Sequence, residues 1–106
     1  MAQVVYVEHA LADLERLFDF LADHDPDFLA NYNPGAATEA IAHIREAVAV
    51  LARHPLIGRP AEAGLHELLI SYGKSGYVAL YDFLEAEGVV LVLALRHQRE
   101  AGFPQN

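Results

Sequence analysis

Two hydrophobic periods divide this chain. Residues 3–7, QVVYV, are short, apolar and β-prone, and predict a first strand. From about His9 to Asp23 the apolar residues Leu11, Leu14, Leu17, Phe18 and Leu21 recur at intervals of three and four. That spacing is one helical stripe and leaves Asp13, Arg16, Asp19 and Asp23 on the surface. Asp25-Pro26-Asp27 ends the helix or closely follows its end, because proline restricts the residue before it. Phe28 to Tyr32 are ambiguous and admit a short helical turn. Asn33-Pro34 then reads as N-cap and first helical position. A second helix follows to about Arg53, with Ala37, Ile41, Ile44, Val48 and Leu51 on one face, and Pro55 ends it.

After the turn-rich stretch LIGRP, residues 56–60, the period changes to two. Strands are predicted over Leu65–Tyr72, Gly76–Leu84 and Gly88–Arg96, joined by the short turns Gly73-Lys74-Ser75 and Glu85-Ala86-Glu87. Connections this short make neighbouring strands antiparallel. The last strand, VVLVLAL, is apolar on both faces and is expected to be central and covered. The element order is β-α-α-β-β-β. It predicts an α+β fold in which a helical hairpin packs on a small, mainly antiparallel sheet, with residues 1–106 as a single domain.

Gly73-Lys74-Ser75 matches the end of a phosphate-binding loop, but the first glycine of that motif falls on Leu68. The run after it, Tyr77 to Tyr81, is strand-like, whereas the motif needs a helix N-terminus there. The match is a hairpin turn.

Charge narrows the function. The chain carries 15 acids against 7 bases, a net charge of −8. Between Glu8 and Asp27 seven acids face only Arg16, whereas from Arg53 to Arg99 five bases balance five acids. Affinity for nucleic acid rests on cations that neutralise phosphates, so no direct DNA binding is expected. With no Cys there is neither a disulfide framework nor a thiolate metal site. The N-terminus lacks the basic and apolar regions of a signal peptide, and the longest apolar run, Val89 to Leu95, is too short for a membrane span. A cytoplasmic protein is expected. Asp23-His24-Asp25 is read as an acidic helix end, and His9, His24, His43 and His54 show no ligand spacing, so neither metal nor cofactor is expected.

Several stretches together resemble a known family. These are ALADLERLFDFLA in the first helix, NPGAATEAIAHIREAVAVLARHPLIGRP through the second, and GLHELLISYGKSGYVALYDFLEAEGVVLVLALRHQREAGF over the sheet. His54-Pro55 with Gly58-Arg59, then HELLI, GYVALY and RHQREAG, are similar in order to the RelE/ParE superfamily, the toxins of bacterial type II toxin–antitoxin pairs, often called plasmid stabilisation proteins. The resemblance implies a cognate antitoxin that wraps the helical hairpin and sheet. It also implies one of two actions. RelE-like members cut messenger RNA in the ribosome, while ParE-like members poison DNA gyrase by protein contact.

For the nuclease branch the resemblance points to basic and aromatic side chains on the exposed sheet face. The catalytic candidates are Arg96, His97 and Arg99, since a histidine between arginines joins proton transfer to phosphate binding. Arg59, Lys74, Tyr77 and Tyr81 are binding candidates. Taken singly, each has a plainer role: Arg59 as a cap or ion-pair partner, Lys74 as a solvated turn residue, and the two tyrosines as packing. Three features favour the ParE-like branch: the net charge of −8, Phe103 where several nucleases place a catalytic tyrosine, and His66 where many relatives have arginine.

Overall fold

The computed structural model describes residues 1–23, 35–73 and 75–98. Its first strand, β1 (Gln3–Tyr6), pairs with the last one, β5 (Val89–His97), and the two run parallel. Between them lie α1 (Glu8–Asp23) and α2 (Ala36–Ala49), the latter extended by a 3₁₀ turn at Val50–Ala52. Next come the two-residue β2 (Arg59–Pro60), a 3₁₀ turn at Glu62–Gly64, β3 (His66–Tyr72) and β4 (Ser75–Leu84). The sheet order is β1-β5-β4-β3-β2, and every pair other than β1 with β5 is antiparallel. The fold is α+β, a helical hairpin on a mixed sheet. The expected cap at Asn33-Pro34 and the segment Asp25 to Tyr32 lie outside the described residues.

Ser75 opens β4 directly after the turn, and Gly73 adopts φ +61°, a conformation that favours glycine. The hairpin reading of that turn therefore holds. β2 and the turn after it were not legible, because a two-residue strand has no period.

Both helices bury against one side of the sheet. Ala10, Leu14, Leu17 and Leu21 of α1 join Ala37, Ala40, Ile44 and Val48 of α2 over Ile70, Tyr77, Ala79, Tyr81, Val90, Val92 and Leu95. β5 reaches that side with even-numbered residues at its start and odd-numbered ones at its end. A β-bulge is the reason. Leu80 pairs with Ala94 but Tyr81 pairs with Val92, so Leu93 has no residue opposite it. The extra residue shifts the alternation by one and turns Leu95 and His97 inward. Leu91 and Leu93 are only half-buried, so β5 is central but less fully covered than its composition suggested.

α1 departs from its predicted stripe at both edges. Leu11 and Phe18 are exposed, while Asp13, expected on the surface, is only 6% exposed. Its carboxylate Oδ2 accepts the Leu95 backbone N–H at 2.9 Å, and Oδ1 accepts Arg16 Nη2 at 3.2 Å. Arg16 Nη2 also donates to the Leu95 carbonyl at 3.1 Å. β1 ends opposite Val92, so this side-chain pair sits where a further strand residue would satisfy Leu95.

Burial raises the phenol pKa of Tyr6, against the lowering effect of Arg45, and raises that of Tyr81, against the hydrogen bond from Gly58. A raised native pKa means that the folded chain holds its protons longer than the unfolded one. The contribution is therefore constant below the ordinary value of about 10 and is lost as pH rises past it. Melting temperatures should fall above that pH, and less steeply in Tyr81→Phe. Equal slopes for the two proteins would exclude Tyr81 as a source.

Candidate functional site

The sequence candidates divide between the two sides of the sheet. Tyr77 and Tyr81 alternate with outward residues on β4, so both share the helix-covered side with Ala79 and are fully buried. His97 is 0% exposed; its ring meets Tyr77 edge-on at 5.1 Å and Phe20 at 5.6 Å. Arg96, its neighbour, pairs across the sheet with Val78 and lies half-buried on the opposite side. The chain thus separates two residues that the sequence grouped, because strand alternation after the bulge sends consecutive side chains apart. Lys74 and Arg99 lie outside the described residues, as does Phe103.

Arg59 is exposed on β2 and its Nε donates to Glu67 Oε1 at 3.1 Å, so it is an ion-pair partner. Both charges are substantially wetted, and the pair contributes little stability. Next to it the Gly58 backbone N–H donates to the Tyr81 hydroxyl at 3.0 Å, which ties the loop before β2 to the middle of the sheet. The His66 ring stacks on Tyr81 at 5.5 Å, and its Nδ1 is buried with no hydrogen-bond partner among the described residues.

One surface feature was not anticipated. The loop leading to Gly58 presents Leu56, 63% exposed, and Ile57, 58% exposed, and β3 presents Leu69, 49% exposed. A surface cavity of about 260 Å³ opens between Ile57, Gly58, Arg59, Glu67, Leu68 and Leu69. The loop is held in shape: the His54 N–H donates to the Val50 carbonyl, the Ile57 N–H to the His54 carbonyl, and Gly58 to Tyr81. The sequence signal was present in LIGRP, two large apolar residues in a turn-rich connection. The sequence does not say whether such residues turn inward or outward.

Among the described residues no group of three or more His, Asp or Glu side chains is placed to hold a metal ion. No helix among them is long and apolar enough to cross a membrane.

Residues 4–102 match the model of a family described as the ParE toxin of the type II toxin–antitoxin system parDE. The chain is 34% identical over 97 residues to toxin RelE2 of Caulobacter vibrioides, covering 92% of this chain and 96% of that protein. It is likewise 34% identical to toxin RelE3 of the same organism over 73 residues, covering 69% and 77%. Among solved structures, the chromosomal ParDE system of P. aeruginosa is similar in fold, with a TM-score of 0.67 and 21% identity over 92% of this chain and 96% of that one. The RelBE2 toxin–antitoxin complex of Mycobacterium tuberculosis gives a TM-score of 0.56 at 25% identity, covering 91% and 96%.

Proposed function

The chain belongs to the RelE/ParE family of type II toxins, and from that membership we propose that it is a ParE-like toxin that acts by binding a cellular protein, DNA gyrase, and is held silent by a cognate antitoxin. One observation carries the choice of branch. The side chains suited to proton transfer, His97, Tyr77 and Tyr81, point into the helix-covered interior. General acid–base catalysis needs the group within hydrogen-bond reach of the substrate, which a buried ring does not offer. The excess of acid supports the same reading, since a ribosomal site is lined with phosphate. A partner that neutralises the toxin fits the company the chain keeps, because one of its structural relatives is a toxin–antitoxin complex.

Purified toxin is expected to inhibit DNA supercoiling by gyrase, or to trap cleaved DNA, and to leave message intact in a reconstituted translation reaction. Absence of both gyrase effects counts heavily against this reading.

The RelE-type names of the curated relatives favour a second reading, a ribosome-dependent endoribonuclease using Arg96, His97 and Arg99. Codon-dependent cleavage of message would support it. Arg96→Ala is the cleaner probe, since His97→Ala also empties a core position. Under the ribonuclease reading Arg96→Ala removes cleavage at unchanged melting temperature, and under the gyrase reading it leaves supercoiling inhibition in place. Unimpaired growth on induction of the chain alone would leave only a third reading, a family member that forms complexes without toxicity.

A further inference from the structure

Leu11 and Phe18, the two large residues that α1 turns outward against its predicted stripe, stand two helical turns apart on one line. Ala22, also exposed, continues that line one turn further on. Beside it runs a second row, Glu8, Glu15 and Asp19, all exposed. A period of 3.6 residues sets the acid row opposite the buried Ala10, Leu17 and Leu21, so both rows face away from the sheet. Among the described residues none of these three acids is in an ion pair, because the one arginine of α1, Arg16, is engaged by Asp13 and the Leu95 carbonyl. The other exposed apolar side chains have no such charge beside them. Ile57 and Leu69 share their cavity with Arg59 and Glu67, whose charges cancel. On α1 an apolar row and an uncompensated acid row coincide.

We infer that this face of α1 docks on a cationic surface of DNA gyrase, the surface that otherwise holds DNA, with Glu8, Glu15 and Asp19 in the place of phosphates and Leu11 and Phe18 as apolar anchors. This rests on the reading of the chain as a toxin that acts on gyrase. An enzyme that grips DNA sets Lys and Arg against the phosphates, so its DNA-holding surface is cationic. A protein with an excess of eight acids is drawn to that surface by the same attraction, which speeds encounter and fixes register. Carboxylates by themselves give steering more than affinity. The adjoining leucine and phenylalanine supply the rest, since large apolar side chains desolvated at the centre of an interface carry most of its binding energy. The charge also excludes other occupants. A second copy would bring two acidic faces together, and a nucleic acid would be repelled.

The test titrates fluorescently labelled toxin with intact gyrase. Affinity is expected to fall about tenfold or more between about 50 and about 200 mM KCl, and linear DNA is expected to displace the toxin. Glu15→Lys combined with Asp19→Lys, and separately Phe18→Ser, should each weaken binding about tenfold at near-normal melting temperature, because all three positions are exposed. The control is Glu85→Lys with Glu87→Lys, which makes the same change in net charge at exposed positions in the turn before β5. It should alter binding by less than about twofold. Equal weakening by the two charge reversals would reduce the effect to net charge and overturn α1 as the docking face. Full binding by the α1 variants, or equal affinity for gyrase already loaded with DNA, overturns the inference and leaves the gyrase reading intact. Failure of the unaltered toxin to bind gyrase overturns both. Variants that lose the antitoxin but keep gyrase would assign the face to the antitoxin and overturn gyrase as its occupant.

Discussion

Asp13→Ala is expected to destabilise the fold by about 3 kcal/mol, measured by urea denaturation, because it removes one partner from a buried, charged hydrogen-bond set. The carboxylate accepts the Leu95 N–H at 2.9 Å and the Arg16 guanidinium at 3.2 Å, with His9 Nε2 at 3.5 Å from the same oxygen as Leu95. Alanine leaves the Leu95 N–H without an acceptor beside α1, and it removes the Asp13 carboxylate from beside the Arg16 guanidinium. Two controls separate these effects. Asp13→Asn keeps an oxygen for the Leu95 N–H and should lose roughly half as much. Arg16→Ala should lose less still, because that side chain is 43% exposed and water screens its charge. A change below about 0.5 kcal/mol for Asp13→Ala, the range of ordinary surface substitutions, would sink the account.

The same residue shows where sequence reading stops. The period of α1 placed the helix correctly, but it ranked Asp13 by polarity and so put it outside, with Leu11 and Phe18 inside. The positions that matter are decided by where β1 stops. That strand ends opposite Val92, which leaves Leu95 short of a backbone partner, and α1 answers with a carboxylate and a guanidinium. No local pattern encodes a shortage that arises between segments 82 residues apart in the chain. His97 repeats the lesson. Its place beside Arg96 in RHQREAG suggested one cluster, yet a bulge at Leu93 sets which of the two faces the core. The turn at Gly73 and the hairpin order were legible because they depend on neighbours in sequence.

Gly58→Ala tests the other long-range tie, and it is expected to lower stability by about 2–3 kcal/mol, as overpacking in a fixed site does. A Cβ at this position would stand 2.7 Å from the Glu67 carbonyl oxygen and 2.7 Å from the Tyr81 hydroxyl. Neither neighbour yields easily. The carbonyl belongs to β3 where β2 pairs with it, and Tyr81 is fully buried between the sheet and its neighbours. Tyr81→Phe alone should lose about 1–2 kcal/mol, because the buried Gly58 N–H then has no acceptor. The double variant discriminates. Phenylalanine removes the hydroxyl that the new Cβ meets, and the hydrogen bond is already gone, so the two losses should fall short of their sum by about 1 kcal/mol. Rescue stays partial, since the Glu67 carbonyl and the Tyr81 Cε1 position, 2.8 Å away, remain in the way. Strict additivity would mean that the loop moves as a whole and that Gly58 is not pinned to Tyr81.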